Sequence, residues 1–189
     1  MMKKKMKTKN LIMMHNIKNF LLCLKYPFLK VRNVWTGKFA GYSGTYLDWF
    51  PDGWRKAFGE QFCKDLKKAL IKDNQLYKFR FCDIKEKYGW LRLSHFGAGK
   101  NTNYVLNRYE QLSKCYCIHC GKPVRYITDG WIEYLCEDCA KETIKPEYLD
   151  KYRLTKDDIP EITVYENGKE YRIDYNIDYE TLWGLNEHE

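Results

Sequence analysis

Two cysteine pairs constrain this chain more than any other feature. Cys117-Ile118-His119-Cys120 and Cys136-Glu137-Asp138-Cys139 are separated by fifteen residues. Two residues between paired cysteines let one tight knuckle aim both sulfurs at a single point, and Gly121 follows where the backbone must turn. Two such pairs supply the four thiolates of a closed tetrahedral site. One structural zinc ion per chain is therefore the expected cofactor, with Cys117, Cys120, Cys136 and Cys139 as ligands. A redox dithiol pair is the competing chemistry. Cys115 leaves an ambiguity, since it could replace Cys117 as ligand across a longer loop. Between the pairs, Val124-Arg125-Tyr126-Ile127 and Trp131-Ile132-Glu133-Tyr134-Leu135 read as short strands around the Asp129-Gly130 turn, and Cys139 to Glu142 can begin a helix. Knuckle, hairpin and helix-borne pair make a treble-clef-like plan, with a zinc ribbon as the alternative.

The chain has eight cysteines, which raises the alternative of a disulfide framework. The Phe20 to Leu24 stretch is too short for a secretory leader and is followed by Lys25. No apolar run approaches the roughly 20 residues of a membrane span. A reducing cytoplasm is the expected compartment, where paired cysteines point to metal. Cys23, Cys63 and Cys82 stand apart in the sequence and are expected to be unreactive, the first two as core thiols.

Four segments are expected. Residues 1–13 are Lys-rich, lack apolar periodicity and are expected to be a disordered basic extension. Residues 14–113 form an α+β domain of helices plus an antiparallel hairpin. Residues 114–145 form the zinc-binding module, and 146–189 an acidic C-terminal segment with a β-hairpin. In the first domain, Met13, Ile17, Phe20, Leu21, Leu24 and Phe28 recur at helical spacing. They predict a helix docked on the core, with a membrane-surface or partner-binding helix as the other reading. Asp52 is the expected N-cap of a helix whose inner face carries Trp54, Phe58, Phe62, Leu66 and Leu70. The period then drops to two. Tyr77, Phe79 and Phe81 share one face of a strand, Lys87-Tyr88-Gly89 turns, and Trp90 to His95 returns. Tyr104 to Leu112 predicts another helix, with Val105, Tyr109 and Leu112 inward. Val164 to Ile173 predicts a hairpin around Asn167-Gly168.

Charge is uneven. The net charge is +8, yet no Asp or Glu occurs up to residue 40, and acids outnumber bases after Pro146. A basic front end attracts polyanions, either nucleic acid or an anionic membrane surface. The 16% aromatic content serves a core or an interface equally well.

No catalytic set emerges. Four thiolates leave zinc no open position for water. His95, beside Gly97-Ala98-Gly99, is the best lone candidate for a catalytic histidine. Gly97-Ala98-Gly99-Lys100 superficially resembles a phosphate loop but lacks its full spacing and the following Ser or Thr.

Several stretches taken together, Leu24 to Lys30, Pro51 to Gly59, Ile84 to Gly89 and Cys117 to Pro123, resemble a group of small, mostly uncharacterised proteins of bacteriophages and prophages. The resemblance covers roughly residues 14 to 145. It implies a non-enzymatic binding protein in the host cytoplasm, acting on a host protein or nucleoprotein such as a CRISPR effector. The alternative is a DNA- or RNA-binding zinc-finger regulator using Lys122, Arg125 and Lys141 as phosphate contacts. A cryptic nuclease or hydrolase around His95 is the third reading.

Overall fold

The computed structural model describes residues 2–155 and the strands 162–166 and 169–173, with side chains from residue 12 to 155. It mixes helices with antiparallel two-stranded sheets, an α+β architecture. The chain divides into two compact units. One comprises Met1–Pro51, Phe58–Glu86 and Arg92–Leu106; the other comprises Asp52–Ala57, Lys87–Leu91 and Asn107–Glu189. The second unit therefore takes in more than the module expected over 114–145, because it includes a helix start and a hairpin tip from far upstream.

In the first unit, α1 spans Met2–Lys25. It begins well inside the segment expected to be disordered. Lys and Met are good helix formers, and no Gly or Pro interrupts the run before Pro27, so propensity suffices without an apolar period. Most of the predicted apolar stripe is exposed, namely Met13, Ile17, Phe20, Leu21 and Leu24, with Phe20 edge-on to Tyr42 at 5.2 Å, while Phe28, past the helix end, is buried. The buried face is instead Asn19 and Cys23. Asn19 Nδ2 donates to Tyr42 O at 2.9 Å. Helical spacing alone does not say which stripe finds a neighbour.

α2 (Asp52–Lys72) presents Phe58, Phe62, Leu66 and Leu70 to the first unit's core as its period predicts. Asp52 is its first helical residue; Pro51, with φ −50° and ψ 142°, occupies the cap position. Proline suits this site because its fixed φ costs nothing at a helix entrance. β1 (Arg80–Lys87) pairs with β2 (Trp90–Phe96). Tyr88 (φ 56°) and Gly89 (φ 80°) form the tight hairpin turn between them, the conformation of a two-residue primed turn. β1 starts four residues later than the alternation of Leu76 to Phe81 implies. Lys78 N and Phe79 N both bond back to Gln75 O at 2.9 and 2.8 Å, a turn and not a strand. Phe79 and Phe81 are buried, but Tyr77 is thrown outward and is 81% exposed. The core is a web of edge-on and tilted rings. Phe81 meets Phe79 at 4.9 Å and Tyr46 at 5.5 Å, and Phe50 meets Phe62 at 5.2 Å, centroid to centroid. These are favourable quadrupolar separations.

α3 (Lys100–Leu112) begins four residues earlier than expected and buries Thr102, Leu106 and Tyr109; Val105 and Leu112 are only half-buried. Its start is capped from α2's end. Asp73 Oδ2 accepts from Thr102 N and Thr102 Oγ1, both at 2.7 Å, and Asp73 Oδ1 accepts from Asn101 Nδ2 at 2.6 Å and Asn101 N at 3.3 Å. Gly99 permits this approach, since a Cβ there would lie 2.5 Å from Asp73 Cγ.

The second unit holds two short antiparallel strands, β3 (Tyr126–Ile127) and β4 (Tyr134–Leu135), paired Tyr126 to Leu135. They lead into α4 (Glu137–Thr143) and a single turn α5 (Leu149–Tyr152). Arg153 bridges to Tyr126, extending the small sheet. β5 (Ile162–Glu166) pairs with β6 (Lys169–Ile173), as the predicted hairpin requires. Its Asn167-Gly168 turn lies outside the described residues. Among the described residues no helix is long and apolar enough to cross a membrane.

Candidate metal centre

The knuckle is made by backbone bonds that the spacing allows. Cys117 N donates to Lys122 O at 2.7 Å and Gly121 N to Cys117 O at 2.9 Å. Gly121 sits at φ 82°, a region that costs a side chain energy and glycine little. Ile118 N donates to Tyr134 O at 3.1 Å, tying the knuckle to β4. The second pair is set by α4: Cys136 is its N-cap, and Cys139 lies in its first turn. The four Sγ atoms of Cys117, Cys120, Cys136 and Cys139 all lie within 4.8 Å of one another, with Cys120 and Cys136 at 3.4 Å. A tetrahedral ion with metal–sulfur bonds of about 2.3 Å asks for sulfurs about 3.8 Å apart. The geometry is thus compatible with a bound metal.

Thiol chemistry points the same way. Cys139 is held protonated well above its ordinary range, first by burial and then by its hydrogen bonds with Cys120, Cys136 and Cys117. Burial also raises Cys120. Cys117 goes down despite its burial, because backbone groups of Cys136, Cys120 and His119 bond to its sulfur. Thiols this close cannot all ionise unless a cation replaces their protons. Cys115 stands outside the group: its side chain is buried and its thiol pushed up to about 12 by that burial. The cluster takes Cys117 and leaves Cys115 in the core.

What lies against the knuckle was not readable from the motif. Gly53, in the first turn of α2, donates its N–H to Ile118 O at 2.9 Å. A Cβ at Gly53 would sit 2.1 Å from Cys117 O, and one at Gly121 would sit 2.5 Å from Gly53 O. Trp54 is fully buried, and its Nε1–H donates to Tyr116 O at 3.0 Å. The hairpin tip also belongs here, for a Cβ on Gly89 would meet Tyr134 at 2.7 Å. A glycine at the second position of a helix, where propensity disfavours it, was the available signal of close approach.

The cations expected to meet phosphate behave differently from one another. Lys122 Nζ pairs with Asp138 Oδ2 at 2.6 Å, and Lys141 Nζ with Glu137 Oε1 at 3.0 Å. Arg125 Nη1 donates to Val124 O at 3.3 Å. Glu137 also accepts from Tyr126 Oη at 3.0 Å and from Arg153 at 3.3 Å. Lys141 and then Tyr126 hold its carboxyl below the ordinary range. Lys122 does the same to Asp138. The acids of α4's first turn also suit the positive end of its dipole. Exposed pairs of this kind are screened by water and contribute little to stability.

His95 is half-buried, stacks on Phe79 at 5.5 Å, and has its Nδ1 buried without a hydrogen-bond partner. Burial lowers its pKa, favouring the neutral ring. The neighbouring glycine loop is not an open anion cradle, because the α3 N–H groups that would face a phosphate are bonded to Asp73. The chain matches no protein-family model, no curated protein and no solved structure.

Proposed function

We propose that the four cysteines hold one structural zinc ion and that the protein is a non-enzymatic binding protein. The observation that carries this is the four-sulfur cluster itself. It offers soft thiolate ligands in a closed set, and zinc is the divalent ion such sets favour. The order of knuckle, β3–β4 hairpin and α4-borne pair supports a treble-clef-like module over a zinc ribbon. A closed site fixes the fold and gives water no coordination position. Among the described residues no other group of three or more His, Cys, Asp or Glu side chains comes together. Following the phage resemblance of its motifs, the partner is a host nucleoprotein in the bacterial cytoplasm, most concretely a defence nuclease such as a CRISPR effector that the protein inhibits. The alternative reading, a zinc finger gripping DNA or RNA through Lys122, Arg125 and Lys141, has two of its three cations already paired with acids.

Elemental analysis in reducing buffer tests the metal: about one zinc per chain is expected, lost in Cys120→Ser. Binding and inhibition of purified CRISPR effectors, with and without His95→Ala, test the role. Activity that survives His95→Ala is expected. Multiple turnover of a nucleic-acid substrate, abolished by His95→Ala, would overturn the non-enzymatic reading.

A further inference from the structure

The first unit carries a basic cleft that the zinc module does not share. Lys30, Arg32 and Arg80 line an open cavity of about 100 Å³, together with Tyr77 and the ring of Phe79, and no carboxylate lines it. Among the described residues none of these three cations stands in an ion pair. Arg32 Nη1 donates to Gly37 O at 3.1 Å, which aims it without neutralising it. Like charges gathered around one concavity repel each other, and an anion relieves that cost. Lys122 and Lys141 present the opposite case, since each faces an acid.

One exposed ring lines the cleft, and a second follows Arg32 along the chain. Tyr77 is 81% exposed at the cleft, pushed out by the turn at Gln75. Trp35 is 94% exposed on the turn that follows Arg32. That turn is well pinned: Asn33 Oδ1 accepts from Trp35 N at 3.0 Å and Thr36 N at 2.8 Å. An ordered turn that holds a tryptophan in water offers its face to a partner.

The geometry points to a single-stranded nucleic-acid site on this face. A backbone phosphate enters the cleft among Lys30, Arg32 and Arg80, a base stacks on Tyr77, and Trp35 supplies a further stacking surface. Cations that track a backbone, interleaved with exposed rings, are the recognised means of holding unpaired strands. A paired duplex hides its base faces from such rings, whereas an unpaired strand presents them. The inference rests on the binding-protein reading and names what that protein touches. It moves the contact from the finger to the first unit.

The test is fluorescence anisotropy of the full zinc-loaded chain with labelled oligothymidylate and oligouridylate of about 16 nucleotides. Binding of either is expected, the preferred one assigning DNA or RNA. Affinity should fall with added salt with a log–log slope of about 0.7, for the one phosphate held in the cleft. Arg80→Glu and Tyr77→Ala should each weaken binding roughly tenfold, while Lys122→Glu leaves it unchanged. Both lost side chains are exposed, so melting temperature and zinc content should be unaltered. Failure of both oligomers to bind at low salt overturns the proposal. So does unchanged affinity in both variants, or loss on Lys122→Glu instead. If the oligomers fail while a CRISPR effector is still bound, this site is wrong and the binding-protein reading stands.

Discussion

The first unit packs Phe28, Tyr46, Phe50, Phe58, Phe62, Phe79 and Phe81 against one another, each nearly or wholly removed from water. Within the second, the cysteine module packs Tyr126, Leu135, Ala140 and Ile144 around Cys117 and Cys136, and its sheet β3–β4 joins only two residues per strand. Aromatic burial supplies the first with its stability. The module's own sheet and helix are short, and small modules of this kind commonly lean on a metal. With the proposed zinc, one chain would use two means of ordering, and each should fail under its own perturbation.

The largest effect is expected from Cys136→Ser or from a chelator. Structural zinc contributes on the order of 10 kcal/mol to folding such modules. Amide exchange should therefore become fast at Tyr126, Leu135 and Ala140 while Phe62 and Leu66 stay protected. Equal loss of protection in both units would break the contrast. Phe58→Ala should act in the reverse sense, costing about 3–5 kcal/mol by the cavity it leaves. Denaturant unfolding with zinc titration would reveal it, and zinc affinity should change little. Gly53→Ala comes next, at about 1–3 kcal/mol from forcing a methyl against Cys117 O. Its mark is weakened zinc retention in a competition assay, although the substituted residue is no ligand. A variant that holds zinc as tightly as the parent would show that α2's first turn yields freely.

Asp73→Ala is the smallest, costing about 1 kcal/mol by uncapping α3. Its pH dependence identifies it. Burial tends to raise the Asp73 carboxyl, but the hydrogen bonds from Asn101 and Thr102 prevail and hold it below its ordinary value. A carboxyl depressed in the folded state stabilises above its unfolded pKa of about 3.9, and that contribution disappears as pH falls through the folded value. The gap between parent and variant should be constant at neutral pH and close below about pH 4. A gap that persists in acid would assign the cost to packing.

The cysteine cluster was legible because its information is local. Spacing within each pair and between pairs suffices to gather four sulfurs, and α2 announced itself through a long 3.6-residue period. Three features escaped for physical reasons. The outward swing of Tyr77 depends on backbone bonds back to Gln75, which alternation of side chains does not report. The exposure of α1's apolar stripe depends on which neighbours the rest of the chain supplies. The acids that occupy Lys122 and Lys141 sit on α4, and for Lys122 the partner is remote in sequence.

The approach of Gly53 to Cys117 and Gly121 bears on how such a chain can change by descent. A cysteine module of this type looks like a portable cassette, free to be exchanged by recombination at a boundary near residue 114. Here its knuckle is moulded to a helix start that lies far upstream. A foreign module spliced in at that boundary would arrive without the matching groove, and a foreign front half would bring a side chain where only hydrogen fits. The two segments must therefore be inherited together, and insertions that leave both intact belong in the chain between them.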